Sequence, residues 1–364
     1  MKVAIVHFWL FHMRGGERVV DGLCELFPDA DIYTHVYDAD GVSPRIAQHK
    51  VRTTFIAKLP FARRLYKLYL PLMPLALRLL DLREYDLIVS SEAGPAKGVV
   101  KRAGAVHVCY CHSPMRYAWD MEDEYVAGLS APVRALARLV LRYMRAWDVA
   151  SAAGVDHFIA NSREVASRIR KIYGREADVV HPPVETERFA ASPGGREPYY
   201  LVVSHLVRYK RVDLAVDACS RMGRPLVVIG SGEEMAALRR RAGPTVRFLG
   251  WQPDSVVAEH LGKCRALLFP GHEDFGITPV EALASGCPVI AYGRGGVLES
   301  VTDGETGLLF PQQTVESLCA TIETFEKRPA PAAEVLRARA EKFSRSRFLA
   351  DMRRAVAAAT PGLR

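Results

Sequence analysis

Short apolar runs recur along the chain and alternate with longer stretches whose apolar positions repeat at helical spacing. Runs of this length, bounded by turn-forming residues, are typical of buried strands. In the first half we predict strands at 2–9, 31–36, 86–90, 106–110 and 157–162. In the second half we predict strands at 199–204, 226–229, 246–251, 266–270 and 287–292. Strands that alternate with helices in this way predict an α/β fold.

Proline and glycine concentrate between the two sets of strands, at Pro182, Pro183 and residues 193–195. Such a shift in composition is typical of a linker between domains. A chain of 364 residues is long enough for two domains that each bury a core. We therefore predict an N-terminal domain over 1–179 and a C-terminal domain over 180–344.

The overall composition is that of a globular protein, with 49% apolar and 25% charged residues. No apolar stretch is long enough to span a membrane, and residues 1–6 have the pattern of a first strand and not of a signal peptide. The seven cysteines are scattered without metal-like spacing, so we expect reduced thiols in a cytosolic protein.

The net charge of +8 is concentrated in residues 41–80, which carry eight lysines and arginines and no acidic residue. The same segment is rich in aromatic and aliphatic side chains. This combination could bind nucleic acid, but no nucleic-acid-binding module accompanies it, so we expect no such partner. Attachment to an anionic membrane surface fits better. A helical hairpin that packs on its own domain and exposes a basic face stays open.

Two carboxylates stand eight positions apart in residues 272–286, whose sequence is HEDFGITPVEALASG. Glu273 follows the predicted strand 266–270, at the edge where parallel α/β sheets bind ligands. Glu281 falls within a short apolar helix. Glu273 could instead be a solvated loop acid.

The start of that helix is predicted from Thr278, whose side chain suits a helix cap, and from Pro279, which suits the first helical position. Backbone N–H groups around Gly276–Thr278 would point towards a bound anion. Glu281 stands three residues after Thr278, so it could simply complete a capping box.

Residues 273–291, Glu-Asp-Phe-Gly-(x)4-Glu-Ala-Leu-Ala-Ser-Gly-Cys-Pro-Val-Ile-Ala, closely resemble the carboxyl-terminal signature of the retaining family 4 glycosyltransferases. The resemblance implies the GT-B fold, with two Rossmann-like domains facing across a cleft and a C-terminal helix, 345–364, that packs back on the first domain. It implies that Glu273 orients the sugar hydroxyls and Glu281 the ribose. It also implies donor contacts from Gly15, Gly16, Gly230, Leu249, Phe275, Gly276, Ile277 and Thr278.

Four further donor-binding residues are expected after the predicted strand 199–204: His205, Arg208, Lys210 and Arg211. Family 4 enzymes usually carry Arg and then Lys five residues later, both contacting the donor diphosphate. Lys210 fits this pattern, whereas His205 stands where Arg is typical. Neutral histidine has one N–H donor and no fixed charge, so we expect Arg208 or Arg211 to supply the positive charge.

Gly15 and Gly16 precede a predicted helix, where they permit a close approach of backbone to ligand, although a plain turn is the alternative. The resemblance to family 4 enzymes implies that this pair faces the pyrophosphate and the acceptor. His12, in the same loop, is placed on the acceptor side.

His112 comes directly after the predicted strand 106–110, at the same edge position as Glu273 in the other half. A single histidine there could be structural. However, residues 111–120, CHSPMRYAWD, resemble the acceptor-side motif of family 4 mannosyltransferase-like proteins that assemble bacterial surface polysaccharide. The resemblance places His112 near the transferred sugar. It gives acceptor-side roles to Arg116, Tyr117 and Trp119, and packing roles for the two aromatic residues stay open.

These resemblances imply a retaining hexosyltransferase that moves mannose from GDP-mannose to a lipid-linked saccharide at the inner face of the membrane. Glu273, Lys210 and His112 would be its catalytic residues. A leaving phosphate oxygen can take the acceptor proton, so we expect no protein base, metal or other cofactor. A GT-B epimerase or phosphorylase, and a non-catalytic nucleotide-sugar-binding module, are the alternatives.

Overall fold

The computed structural model describes residues 1–126, 128–189 and 195–362, and it divides into two compact units. Unit 1 comprises Met1–Pro183 and Phe348–Arg364, and unit 2 comprises Val184–Arg347. The chain therefore leaves unit 1 four residues after the predicted boundary. Residues 193 and 194 of the proline- and glycine-rich stretch, and residues 363 and 364 of the predicted last helix, lie outside the described residues.

The described part of unit 1 is built on one parallel sheet with the order β3-β2-β1-β4-β5-β6-β7. Its strands are β1 Val3–His7, β2 Asp31–Thr34, β3 Val51–Thr53, β4 Leu87–Glu92, β5 Val106–Cys111, β6 His157–Ala160 and β7 Ala177–Val179. The five strands predicted in this half are all present. The pattern missed the two edge strands of this sheet, each three residues long: β3, which lies inside the basic segment of residues 41–80, and β7.

The described part of unit 2 has a second parallel sheet, with the order β10-β9-β8-β11-β12-β13. Its strands are β8 Tyr200–Val203, β9 Leu226–Ile229, β10 Val246–Gly250, β11 Ala266–Phe269, β12 Val289–Tyr292 and β13 Gly307–Phe310. Successive side chains of these strands enter different cores: Leu201 and Val227 belong to one cluster, Tyr200 and Val228 to another. Both faces of the sheet are therefore covered, as a parallel sheet requires.

Helices connect the strands in the described residues. They are α1 Gly15–Leu26, α2 Pro44–Gln48, α3 Ala62–Leu65, α4 Met73–Arg78, α5 Glu122–Val126, α6 Ala131–Ala152, α7 Arg163–Tyr173, α8 Val212–Met222, α9 Met235–Arg241, α10 Asp254–Lys263, α11 Ile277–Ala284, α12 Val297–Ser300, α13 Val315–Glu326, α14 Ala333–Glu341 and α15 Arg345–Ala359. In the basic segment, β3 lies between short helices, so the segment is not a helical hairpin. It does pack on its own unit through Ile56, Met73 and Ala76, and its basic side chains include exposed ones, so an ordinary solvated basic face stays open.

The predicted C-terminal helix, 345–364, corresponds to α15, Arg345–Ala359, and the chain turns at residues 342–344 between α14 and α15. Ser344 Oγ accepts a hydrogen bond from the backbone N–H of Arg347, which favours a new helix start there. Helix α15 packs on unit 1 through Phe348, Met352 and Val356. A Cβ atom on Gly22 of α1 would lie 2.5 Å from the Phe348 ring, so glycine makes room for that ring.

Both sheets contain one point at which the strand order reverses. In unit 1 this point lies between β1 and β4, and in unit 2 it lies between β8 and β11. Connections leave these neighbouring strands in opposite directions, which opens a crevice at their carboxyl ends where α/β proteins bind ligands.

Candidate active site

At the reversal point of unit 2, Lys210 and Glu273 form an ion pair between Nζ and Oε2. Lys210 ends a helical turn, Arg208–Lys210, that follows β8, and Glu273 lies in the loop after β11. Each side chain is 17% exposed. A Cβ atom on Gly271 would lie 3.1 Å from the Lys210 carbonyl oxygen, so this glycine lets the two segments approach. The structure thus brings together the predicted lysine and the first predicted carboxylate.

The loop that carries Glu273 is held by Gly295 and Gly296, which the sequence analysis did not single out. The backbone N–H of Gly296 donates to the Glu273 carbonyl oxygen at 2.9 Å. A Cβ atom added to Gly295 would lie 2.4 Å from that oxygen. A Cβ atom added to Gly296 would lie 2.3 Å from the Asp274 carbonyl oxygen. Side chains at these positions would displace the loop.

Helix α11 begins at Ile277, two residues earlier than a cap at Thr278 requires. Gly276 occupies the cap position with φ +87°, and no side chain caps the helix. Thr278 and Pro279 therefore lie inside the first turn, and the capping-box role of Glu281 is wrong. Glycine is favoured because this φ strains other residues, and because a Cβ atom would lie 3.0 Å from the Phe269 ring.

Glu281 is buried on α11, with 8% of the residue exposed. Phe275 is also buried, and Ile277 packs against the same core cluster of unit 2. The first backbone N–H groups of a helix have no acceptor within the helix. The start of α11 thus offers N–H donors beside the loop of Glu273.

His205, which stands where the family pattern has arginine, is held by a hydrogen bond to the backbone. Its Nδ1 donates to the Ser231 carbonyl oxygen at 2.8 Å, because a carbonyl oxygen can only accept. The ring is otherwise exposed and has no second hydrogen bond among the described residues. His205 therefore leaves Nε2 for a ligand, at the position where the family pattern has the guanidinium group of an arginine.

The two neighbouring arginines differ in their contacts. Arg211, which has φ +50°, pairs with Asp213 at 3.0 Å through Nε and at 3.1 Å through NH2. Arg208 is exposed and forms no ion pair with any described residue. The geometry therefore favours Arg208 as the cation available to a diphosphate.

Gly230 and Leu249 lie at the carboxyl ends of β9 and β10. Gly230 has φ +137°, and a Cβ atom there would lie 1.8 Å from the Ser204 carbonyl oxygen. Its N–H donates to the Gly250 carbonyl oxygen at 2.8 Å. The Leu249 carbonyl oxygen accepts from the Gln252 side chain at 2.8 Å. These contacts stabilise the turns that follow β9 and β10, at the same edge of the sheet as Lys210 and Glu273.

At the reversal point of unit 1, a serine links two histidines across three neighbouring strands. His7 ends β1, Ser91 lies on β4, and His112 follows β5. Ser91 Oγ lies 3.0 Å from His7 Nδ1 and 2.8 Å from His112 Nε2. Burial, together with the nearby His7, lowers the pKa of His112 to about 3. His112 is therefore neutral at physiological pH.

Helix α1 begins beside these histidines. Gly15 and Gly16 are its first two residues, and a Cβ atom on Gly16 would lie 3.5 Å from the His7 ring and 3.6 Å from His112 Nε2. The carboxylate of Glu17 accepts from the backbone N–H of Arg14 at 3.0 Å and so caps the helix. His12 is exposed in the preceding loop.

The other acceptor-side candidates have packing contacts in the structure. The Trp119 indole N–H donates to Asp148 at 2.8 Å, and the Tyr117 hydroxyl contacts the Met115 sulfur at 2.7 Å. Both rings pack against one apolar cluster, and Arg116 is half-buried in the same loop. Their acceptor-side roles stay predictions.

Sequence reasoning missed a buried charge network beneath this loop. Lys97 Nζ donates to Glu92 at 3.0 Å and also pairs with Asp148, and all three side chains have no exposed surface. Burial raises the pKa of Glu92, and the Lys97 charge partly offsets this. Burial alone would lower the pKa of Lys97, but Glu92 and Asp148 raise it above its ordinary value. The network joins β4, α6 and Trp119.

Among the residues with described placement, no group of three or more His, Cys, Asp or Glu side chains could hold a metal ion. The expectation of a metal-free reaction stays a prediction. No helix in the described ranges is long and apolar enough to cross a membrane.

Two family models match the chain in succession. The model described as "Glycosyltransferase Family 4" matches residues 13–188, and the model described as "Glycosyl transferases group 1" matches residues 183–343. Glycogen synthase of Xanthomonas oryzae pv. oryzae is 30% identical over 216 residues, which are 55% of this chain and 39% of that protein. D-inositol 3-phosphate glycosyltransferase of Kribbella flavida is 30% identical over 207 residues, 48% of this chain and 49% of that protein. The chain spans less than half the length of these curated relatives.

Solved structures match over nearly the whole chain. HepE of Anabaena in complex with UDP-glucose superposes with a TM-score of 0.70 and 17% identity, covering 98% of this chain and 100% of that chain. Sucrose-phosphate synthase of Thermosynechococcus elongatus superposes with a TM-score of 0.71 and 17% identity, covering 99% and 100%. These matches confirm the predicted fold. Because the two models account for residues 13–343 and both sheets have the GT-B architecture, the chain belongs to the GT-B glycosyltransferases of family 4.

Proposed function

We propose that the chain is a retaining hexosyltransferase that uses a nucleotide-sugar donor. The observation that carries this proposal is the ion pair between Lys210 and Glu273 beside the start of α11. A cation, a carboxylate and unpaired helix N–H groups together match a sugar diphosphate, because the diphosphate needs positive charge and N–H donors and the sugar needs acceptors.

In the proposed reaction, Lys210 stabilises the charge that develops on the departing diphosphate, with Arg208 and the N–H groups of α11 beside it. Glu273 accepts hydrogen bonds from the sugar hydroxyls, and its ion pair with Lys210 holds its side chain in place. Glu281 accepts from the ribose. A departing phosphate oxygen takes the acceptor proton on the same face of the sugar, which gives retention without a protein base.

For the donor we propose GDP-mannose, because residues 111–120 resemble the acceptor-side motif of polysaccharide mannosyltransferases. UDP-glucose is the second candidate, because the similar HepE structure was solved with that molecule. These two donors differ in both the base and the sugar. Adding GDP-glucose and UDP-mannose to the assay separates the preference for the base from the preference for the sugar.

For the acceptor we propose a lipid-linked saccharide, reached by attachment to the inner face of the membrane. Eighteen large apolar side chains are exposed in the described part of the chain, and twelve of them lie in residues 61–79 or 125–149. Phe61 is 77% exposed and adopts φ +51°, a strained conformation for an aromatic residue. An exposed aromatic held in this way suits insertion between lipid headgroups.

Helix α6 adds a second element to this proposed surface, and the sequence analysis did not single it out. Val133, Leu136, Leu139 and Tyr143 are each 48–64% exposed on one side of the helix. The helix carries four arginines, and its one acidic residue, Asp148, is buried. Leu70 of the basic segment and Val140 of α6 pack against the same apolar cluster, so the two elements are neighbours. Basic residues beside exposed apolar ones fit an anionic bilayer.

The test of the proposed activity is release of nucleoside diphosphate from each of the four nucleotide sugars, with and without a membrane lipid extract. A hexosyltransferase releases the diphosphate faster when the extract is present and forms a lipid-linked product. Release of free sugar or sugar phosphate without acceptor dependence would instead identify an epimerase or phosphorylase. Binding of a nucleotide sugar without any turnover would identify a non-catalytic module.

A further inference from the structure

The hydrogen bonds at the reversal point of unit 1 determine which nitrogen of His112 carries its proton. The first step concerns His7. Its Nδ1 lies 3.2 Å from the Ser91 carbonyl oxygen and 3.0 Å from Ser91 Oγ. A carbonyl oxygen can only accept a hydrogen bond, so a protonated Nδ1 can donate to both Ser91 oxygens. An unprotonated Nδ1 would instead place its lone pair next to the lone pairs of the carbonyl oxygen, which is repulsive.

The other nitrogen of His7 does not oppose this assignment. His7 Nε2 is buried without a hydrogen bond, and it lies 3.8 Å from Glu17 Oε1, beyond hydrogen-bonding distance. If Nε2 is also protonated, with Glu17 as the nearby carboxylate, Nδ1 keeps its proton. His7 therefore donates to Ser91 in either state.

The second step concerns the hydroxyl of Ser91, which has one proton to give. Because His7 donates to it, that proton is available to His112 Nε2 at 2.8 Å. A neutral His112 that accepts at Nε2 carries its own proton on Nδ1. His112 is partly exposed and forms no other side-chain hydrogen bond among the described residues, so this N–H remains for a ligand.

We propose that His7 and Ser91 are positioning residues that hold His112 as the Nδ1–H tautomer, which donates a hydrogen bond to an oxygen of the sugar substrate. His112 then does not act as a general base, because its basic nitrogen is occupied by Ser91. This role rests on the proposed function, but the tautomer itself does not.

The tautomer is tested directly by long-range ¹H–¹⁵N spectra of protein labelled at histidine, with the His112 signal assigned by its loss in His112→Asn. We expect the wild-type ring to be protonated on Nδ1 only. Ser91→Ala should shift the proton wholly or partly to Nε2, and Ser91→Thr, which keeps a hydroxyl, should not. A wild-type ring protonated on Nε2, or a Ser91→Ala ring that stays protonated on Nδ1, overturns the proposal.

The positioning role is tested by turnover of the nucleotide sugar. Ser91→Ala should lower kcat about tenfold, the scale of one hydrogen bond, with little change in KM for the donor. An asparagine amide places its N–H near Nδ1 and a glutamine amide near Nε2, so His112→Asn should retain at least about tenfold more activity than His112→Gln. Equal activities, or a more active glutamine variant, overturn the role.

Two further variants keep the test informative if Ser91→Thr does not fold. His7→Asn supplies an N–H donor to Ser91 and should preserve the His112 tautomer, whereas His7→Leu should lose it. If the wild type turns over no nucleotide sugar, the proposed function fails, and the spectra still support or overturn the tautomer.

Discussion

Lys210 and Glu273 contact each other across the point where the strand order of unit 2 reverses, although they follow different strands. The equivalent point of unit 1 carries His7, Ser91 and His112. The chain thus places its polar clusters where each sheet opens.

Replacing Glu273 with glutamine should lower turnover by at least about 100-fold, the scale for loss of one preorganised electrostatic group. Glutamine keeps the size of the side chain but loses the charge that pairs with Lys210. Steady-state release of nucleoside diphosphate measures the effect. Glu259→Gln, which alters a carboxylate on α10 of the same unit, should leave turnover unchanged. Near-normal turnover of Glu273→Gln would refute its assignment.

Lys210→Ala should weaken binding of a nucleoside diphosphate, and the remaining affinity should fall less steeply with salt because one charge contact is lost. Calorimetric titrations at several salt concentrations measure both quantities. Lys263→Ala is the matched control, since Lys263 also pairs with a glutamate in unit 2 but on the exposed helix α10. The same affinity for both variants would show that the positive charge comes from another residue.

Lys97→Met should destabilise unit 1 by about 3–5 kcal/mol, because it leaves Glu92 and Asp148 buried without a counter-charge. Lys101→Met removes an ion pair with Asp156 in which both side chains are partly exposed, and it should cost at most about 1 kcal/mol. Denaturant unfolding of both variants makes the comparison. A similar small loss for both would mean that the buried network adds no stability.

Unit 1 should lose stability as the pH falls from about 6.5 to 4. Burial lowers the pKa of His35 and His107 to about 4 and, together with His7, that of His112 to about 3. In this window the unfolded chain binds these protons and the folded chain does not, so acid favours unfolding. Each histidine contributes up to about 1.4 kcal/mol per pH unit. His107→Gln should reduce the slope of stability against pH, and an unchanged slope would contradict the assignment.

The protein should sediment with anionic liposomes at low salt, be released at high salt, and bind neutral liposomes little. Arg64→Glu combined with Lys67→Glu should abolish sedimentation, since each basic residue near an anionic surface contributes about 1 kcal/mol. Arg63 is left in place because it pairs with Asp38. Nucleotide binding should not change.

The control for that experiment is Arg240→Glu with Arg247→Glu, an equal change in net charge on exposed residues of unit 2. Leu136→Ser with Leu139→Ser tests the α6 face separately. If these leucines instead cover a second copy of the chain, the wild type will sediment as a dimer in solution and the variant as a monomer.

Most of the strands could be predicted from the sequence, because buried parallel strands are continuous apolar runs. The end of each run also shows which residues follow the strand, so Lys210, Glu273 and His112 could be predicted at the carboxyl ends of the sheets. Sequence reasoning missed β3, β7 and β13, which are short strands at the edges of their sheets. It could not predict the link between His7, Ser91 and His112, because pairing across strands depends on sheet order. It also placed the start of α11 at Thr278, since the side-chain preference for caps concealed what Gly276 does through its backbone.

Helix α15 has a consequence for the order in which the chain acquires its structure during synthesis. Phe348, Met352 and Val356 belong to the core of unit 1, so residues 1–183 emerge from the ribosome without part of that core. Residues 184–347 are contiguous and can complete their own core as soon as they emerge. We therefore expect the second half of the chain to finish folding before the first, the reverse of the usual N-terminal-first order.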